Sequence, residues 1–168
     1  MNMNQFTQKS LAAIQGAQDI ALEHGNQQIE QAHLLLALAG DAEGFIPQLL
    51  TAMGMTVPSF EAAVGAEGDK LPKVTGSGRE SGKVYVSQDV DRALQEAGQE
   101  AQAMKDEYIS VEHILLGLLA HPNSALKELF RTYGLTKEVV LQALAAVRGN
   151  QRVTSDNPEE TYNALKKY

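Results

Sequence analysis

Two histidines occur in nearly the same phrase at two places in the chain, which raises the question of metal or acid–base chemistry. His33 lies in "IEQAHLLLALAG" and His113 in "YISVEHILLGLLAHP". A helical zinc site needs two histidines one turn apart, or histidines and carboxylates that converge from several elements. His33 and His113 are each alone on a predicted helix, and His24 and His121 lie near predicted helix ends. We therefore interpret His33 and His113 as structural, each ring packing in a first helical turn and donating to a neighbouring loop carbonyl.

The stretch "GSGRESGKV", residues 76–84, superficially resembles a phosphate-binding loop. That motif needs two glycines separated by four residues, a lysine directly after the second glycine, and then Ser or Thr. Here Gly78 and Gly82 are separated by three residues, and Val84 follows Lys83. The chain also lacks cysteine and a Gly-x-Ser-x-Gly nucleophile elbow. The sequence therefore predicts neither an enzyme active site nor a bound cofactor, and no metal site.

The two histidine phrases belong to a tandem repeat. An ungapped alignment at an offset of 80 positions gives fourteen identities among the 58 pairs between 7–64 and 87–144. About four would coincide by chance in a composition rich in Ala and Leu. Near matches are mostly conservative, such as Ile14 with Leu94. A period of this kind defines a structural unit, so the sequence predicts two copies of one supersecondary structure.

The composition is typical of one compact, soluble domain. The chain has 168 residues, of which 43% are hydrophobic and 5% aromatic, and its formal net charge is −7. An acidic chain repels a phosphate backbone, and so few aromatic residues cannot form a base-stacking platform. The leucine-rich runs fall far short of the roughly 20 residues that span a bilayer. We expect a cytoplasmic, monomeric domain without a nucleic-acid or membrane partner.

Each copy is predicted to form four helices, which gives an all-α domain of two four-helix repeats related by a pseudo-twofold axis. Hydrophobic residues at helical spacing define the helices, and the short helices that start at Gln31 and Val111 are apolar on most sides and should be buried centrally. The predicted N-caps are Thr7, Ser87, Ser110, Asn123 or Ser124, and Thr136.

The same pattern predicts the domain boundaries. Repeat 1 should cover about 5–65 and repeat 2 about 86–148, joined by an exposed connection at 66–85 that is rich in Gly and Ser. After this domain, 1–148, the polar segment 149–168 is predicted to be a linker that leads toward a further module. Within it, Asn157 and Pro158 are typical of a helix start.

Several motifs together identify a family. The pattern [S/T]-x-E-H-[I/L]-L-L-[G/A]-L occurs in the second repeat and in a variant form in the first, where Gln31 and Ala32 precede His33. "LPKVTGSG", "VYVSQDVDRAL" and "AAVRGNQRVTSDNPEETYNALKKY" accompany it. Over its whole length the chain resembles the Clp amino-terminal repeat domain of AAA+ unfoldases, in the variant found in ClpB-type disaggregases.

The resemblance implies a module that binds protein segments and has no catalysis of its own. It implies unfolded or aggregated proteins as clients, a hexameric full-length protein that cooperates with an Hsp70-type chaperone, and ATP and magnesium only in the ATPase modules beyond this chain. An adaptor-docking domain of a ClpA- or ClpC-like unfoldase remains an alternative, and a small-molecule enzyme built on a helical pair is a more remote one. The residues after Tyr168 would separate the first two.

The resemblance also implies three substrate-binding residues, Thr7, Asp106 and Glu112. Each has a structural interpretation as well. Thr7 is a natural N-cap. Glu112 lies in a first helical turn, where its negative charge interacts favourably with the helix dipole, and Asp106 could be a solvent-exposed residue of a turn. As client contacts, Asp106 and Glu112 are expected to expose their carboxylates on one rim. Glu96 and Glu100 are expected to be exposed on the preceding helix.

Overall fold

The computed structural model describes residues 3–73, 84–149 and 151–159, and the fold of this part is all-α, as predicted. The first repeat contains α1 (Gln8–Glu23), α2 (Gln31–Gly40), α3 (Phe45–Ala52) and α4 (Val57–Asp69). The second contains α5 (Gln88–Ala103), α6 (Val111–Ala120), α7 (Ser124–Thr132) and α8 (Lys137–Arg148). A 3-10 turn at Met3–Gln5 precedes α1, and two short strands, β1 (Gln28–Ile29) and β2 (Tyr85–Val86), form a parallel pair.

Side-chain caps begin the helices where the sequence predicts them. The side chains of Thr7, Ser87, Asn123 and Thr136 each accept a hydrogen bond from the backbone N–H three residues later. Gly134 ends α7 with a φ of +65°, in the left-handed region that L side chains rarely adopt. The main difference lies at the end of α4, which continues to Asp69 instead of stopping near 65.

The contacts between the repeats have the reciprocal form that a pseudo-twofold axis requires. Helix α1 packs on α6 and its equivalent α5 packs on α2, while α3 contacts α8 and α7 contacts α4. The backbone obeys the same relation: Ile29 pairs with Val86 in the β1–β2 ladder, and Ile109 pairs with Phe6 in an isolated bridge. At the offset of 80, Val86 is the counterpart of Phe6 and Ile109 is the counterpart of Ile29, so the two pairings are equivalent. The two repeats therefore interlock, each contributing one extended segment to the other.

Helices α2 and α6 form the centre of the core, as the sequence predicts. In α2, Leu34, Leu35 and Leu38 are at most 3% exposed, and in α6 Ile114 and Leu115 are fully buried. No helix in the described part of the chain is by itself long and apolar enough to cross a membrane. Only α2 and α3 taken together pass that test of length and composition, and they are bent by 86°.

Candidate functional site

A buried arginine joins the two acidic residues predicted to bind substrate. Arg148, the last residue of α8, donates to Asp106 Oδ1 at 2.7 Å and Oδ2 at 3.1 Å, and to Glu112 Oε2 at 3.3 Å. All three side chains are at most 3% exposed. Because the carboxylates are buried, they have lost their hydration. This guanidinium and the hydrogen bonds around it are what offset that cost.

His113 links this ion cluster to the start of α6. Its Nδ1 accepts the backbone N–H of Ser110 at 2.9 Å, so the ring proton lies on Nε2, which donates to Asp106 Oδ2 at 2.7 Å. Burial by itself raises the pKa of Asp106, but the hydrogen bonds from His113, Arg148 and the Val153 N–H, together with the charge of Arg148, hold that pKa well below its usual range. Asp106 is therefore a permanent carboxylate.

The first repeat contains an uncharged version of the same arrangement. His33 Nδ1 accepts the backbone N–H of Glu30 at 2.9 Å, and its Nε2 lies 2.9 Å from Asn26 Oδ1. Burial and the nearby His24 lower the pKa of His33 to about 4, so its ring is neutral. Both histidines are thus structural, as interpreted, although their partners are side chains rather than loop carbonyls.

In the second repeat Asp106, Glu112 and Arg148 replace Asn26, Ala32 and Gly68 of the first. In the first repeat a small cavity of about 170 Å³, lined in part by Ala32, His33 and Gly68, lies at this position. The charged triad is therefore an addition to the fold unit.

Residues 151–159, which we call the strap, complete the cluster. The strap contacts the start of α1 and the connection between α5 and α6, and the side chain of its Val153 is fully buried. The Thr7 hydroxyl donates to Glu159 Oε2 at 2.8 Å, and the Val111 N–H donates to the same oxygen at 3.3 Å. Thr7, Asp106 and Glu112, which are far apart in the sequence, thus meet in one buried polar network with Arg148 and Glu159.

Two carboxylates in this network, those of Glu112 and Glu159, repel each other and are not fully compensated. Oε1 of Glu112 and Oε1 of Glu159 are both buried and have no hydrogen-bond partner. Burial raises the pKa of Glu159 to about 7, and the charge of Glu112 adds to the rise. Near neutral pH the Glu159 carboxyl group of the strap is therefore close to its pKa.

The network corrects two expectations from the sequence. The carboxylates of Asp106 and Glu112 do not face an exposed rim, because both are buried inside the domain, where they share Arg148. Glu100 is also buried, since it accepts from Lys137 Nζ at 2.6 Å. Whether Asp106, Glu112 and Thr7 bind substrate stays a prediction.

The sequence analysis also missed two members of the network. Arg148 had a detectable signal, since it follows the buried Val140 and Leu144 at intervals of four on one face of α8. Glu159 had none, because it lies in a polar stretch that was assigned to the linker. The packed part of the chain therefore extends beyond 148 to the strap, while the predicted helix after Asn157 lies mostly outside the described residues.

A groove of about 530 Å³ lies between α1 and α2, next to this network. Its walls are mostly apolar and include Ala12, Gly16 and Leu36, while Val111 and Glu159 line it as well. Three charged residues outside the network, Lys9, Asp41 and Glu61, also line the groove, and Lys9 Nζ lies 3.7 Å from an Asp41 carboxylate oxygen.

The two repeats pack differently at one position beside the groove. In the second repeat, Gly117 lets α6 approach α5 so closely that an added Cβ would overlap the carbonyl oxygen of Ala93. The first repeat has Ala37 at the equivalent position of α2, facing Gly16 of α1. The methyl group of Ala37 therefore lies between α1 and α2 where the second repeat has none, and both Gly16 and Ala37 line the groove.

Neither a metal centre nor a nucleotide loop is visible in the described part of the chain. No three His, Cys, Asp or Glu side chains within residues 3–73, 84–149 and 151–159 are arranged to hold a metal ion. Most of the stretch at 76–84 that superficially resembles a phosphate-binding loop lies outside the described residues.

Two interlocked four-helix repeats around a pair of central helices define a double-repeat helical domain, and comparison with known proteins gives its family. Residues 5–133 match the Clp repeat (R) N-terminal domain family, and the chain belongs to that family. The chaperone protein ClpB of Bacillus cereus is 42% identical over all 168 residues. The chain spans 19% of the length of that relative, so it corresponds to its N-terminal Clp domain.

Solved structures share the fold. The N-terminal domain of Hsp104 from Candida albicans superposes with a TM-score of 0.78 at 24% identity, covering 92% of this chain and 99% of that one. A ClpV N-domain in complex with a VipB peptide gives a TM-score of 0.66 at 19% identity, covering 93% of this chain and 91% of that one. These likenesses establish the architecture of the domain.

Proposed function

We propose that this domain binds exposed segments of unfolded or aggregated proteins and passes them to the ATPase ring of a ClpB-type disaggregase. The observation that carries the proposal is the groove between α1 and α2. Its volume of about 530 Å³ falls in the range of ligand sites, and its walls are mostly apolar. An unfolded polypeptide differs from a folded one in exposing apolar side chains, so such a groove suits it.

The residues that line the groove define which clients it should favour. The acids Asp41, Glu61 and Glu159 outnumber the single base Lys9, and Lys9 pairs with Asp41. A segment that combines apolar side chains with lysine or arginine complements this arrangement. The related ClpV N-domain was solved with a VipB peptide, which supports peptide binding as a use of the fold.

Thr7, Asp106 and Glu112 enter the proposal through the network beside the groove. Thr7 donates to Glu159, which lines the groove, and Asp106 accepts the Val153 N–H of the strap. The three residues touch a client directly only where the strap has moved aside. In the full-length protein we expect several such domains on one hexameric ring in the cytoplasm, working with an Hsp70-type chaperone.

A substitution in the groove wall tests the proposal. Ala12 is an exposed residue of α1 that lines the groove, so the long side chain of Ala12→Lys should obstruct it. Binding of fluorescently labelled carboxymethylated α-lactalbumin, a permanently unfolded protein, should weaken at least fivefold in fluorescence anisotropy, with unchanged helicity by circular dichroism.

Ala146→Lys is the matched control, because Ala146 is an exposed helical alanine of α8 that does not line the groove. Both variants change the net charge equally, so a general charge effect would weaken both. Equal binding by the parent and both variants would refute the groove as the client site.

A further inference from the structure

The first part of the strap, 151–154, is bound to the domain in the manner of an extended peptide ligand, and the chain then bends at 155–156 and begins a helical turn at 158–159. The Val153 N–H donates to Asp106 Oδ1 at 2.9 Å, and the Val153 carbonyl accepts the Glu107 N–H at 2.7 Å. Three residues later, the Asp156 carbonyl accepts the Gln8 N–H at 2.8 Å. Main-chain bonds with one buried aliphatic side chain are how grooves hold extended peptides with little dependence on sequence.

The strap covers the three residues that the family resemblance connects with clients. The Val153 N–H donates to Asp106. The Glu159 carboxylate accepts from the Thr7 hydroxyl and interacts with the charge of Glu112. The other wall of this network consists of His113 in α6 and of Arg148 at the end of α8, which also donates to the Gln151 carbonyl at the start of the strap at 2.9 Å. Moving the strap would therefore uncover one carboxylate oxygen of Asp106, the side of Glu112 that faces Glu159, and the Thr7 hydroxyl.

The strap is an imperfect ligand at its far end. Glu159 brings a carboxyl group to Glu112, and one oxygen of each remains buried without a partner. A buried acceptor without a donor weakens the bound state. A lysine or arginine at the same place would donate to Glu112 and form an ion pair with it, so a foreign segment can bind better than the strap does.

We infer that the strap is an intramolecular competitor that occupies a second part of the client site. This inference rests on the proposed function and specifies it. The client segment that replaces the strap follows the same path: it is extended where it places a small aliphatic residue at the position of Val153, it then bends, and it carries lysine or arginine about six residues later, at the position of Glu159. Client affinity is then reduced in proportion to the fraction of domains with a docked strap.

A reversible covalent lock on the strap tests the inference in the full chain. Gln8 and Asp156 are joined by a main-chain hydrogen bond, and Gln8 Nε2 donates to Asp156 Oδ2 at 3.1 Å at an exposed position. The chain has no cysteine, so Gln8→Cys with Asp156→Cys creates a single possible intramolecular disulfide. The probe is labelled carboxymethylated α-lactalbumin, measured with the disulfide intact and after reduction with dithiothreitol.

The oxidised double variant should bind the probe at least tenfold more weakly than the same protein after reduction. Gln8→Cys alone, treated with the same oxidant and reductant, controls for effects of the reagents. In the opposite direction, Val153→Asp cannot dock its strap, because the side chain of Val153 is fully buried, and it should bind the probe more tightly than the parent.

The outcomes separate this inference from the proposed function. Measurable and equal binding by the locked and reduced forms would overturn the strap as a competitor and leave client binding intact. Absence of binding in the parent and in every variant would overturn the proposed function, and this inference with it.

Discussion

Replacing Arg148 should destabilise the domain more than almost any other single substitution of a charged residue. Arg148→Met keeps most of the side-chain volume but leaves Asp106 and Glu112 buried without their cation. Asp106 retains its hydrogen bonds from His113 and the Val153 N–H, whereas Glu112 loses the donor to its Oε2. Removing one member of a buried ion cluster costs about 3–5 kcal/mol, a large part of the 5–15 kcal/mol typical of a domain.

The first repeat shows how this cost can be removed. At the equivalent positions it has Asn26, Ala32 and Gly68, and the histidine, cap and central helix are still in place. The triple variant Asp106→Asn, Glu112→Ala and Arg148→Met should therefore recover most of the loss and lie within about 1–2 kcal/mol of the parent, as when a buried ion cluster is exchanged for apolar groups.

Urea unfolding followed by circular dichroism at 222 nm measures the free energy of unfolding of these variants. Arg131→Met is the matched control, since the Arg131–Glu128 pair is 81% and 67% exposed and should be worth about 0.5 kcal/mol or less. The reasoning is refuted if Arg148→Met loses less than about 1 kcal/mol, or if the triple variant is as unstable as the single one.

Two further predictions concern Glu159 and Gly117. Burial and the charge of Glu112 raise the pKa of Glu159 from 4.5 to about 7, although hydrogen bonds from Thr7 and the Val111 N–H act in the opposite direction. The protonated form of Glu159 therefore stabilises the folded domain at low pH, and this contribution is lost as the pH rises from about 4.5 to 7. The free energy of unfolding of the parent relative to Glu159→Gln should fall by about 1–3 kcal/mol between pH 4.5 and 8 in urea titrations; a constant difference would contradict the proton assignment. Gly117→Ala should destabilise the domain by about 1–3 kcal/mol in thermal unfolding, because the added Cβ overlaps the Ala93 carbonyl. Gly65→Ala in α4 is the control: its Cβ would have nothing within 4 Å, so it should be neutral or slightly stabilising. Equal effects of the two substitutions would argue against the close helix contact.

The sequence predicted those features that depend on local patterns. The repeat, the central helices and caps such as Thr7 and Ser87 follow from periodicity and from side-chain hydrogen bonding within a few residues. The network could not be predicted in this way, because its members come from five separated parts of the chain. Whether Asp106 is exposed depends on Arg148, 42 residues away, and on the strap, and no local pattern encodes either contact. The β1–β2 pair was missed because a strand of two residues has no measurable alternation.

The difference between Ala37 and Gly117 determines the valency of the domain. A duplicated fold with a pseudo-twofold axis would ordinarily offer two copies of every surface cleft, and a client could then bridge them. Within the described residues, Gly117 brings α6 against α5, so at this position the second repeat has no room for a counterpart of the groove between α1 and α2. Each domain should consequently bind one segment of a client at its groove, and simultaneous attachment to several segments of an aggregate would come only from neighbouring domains.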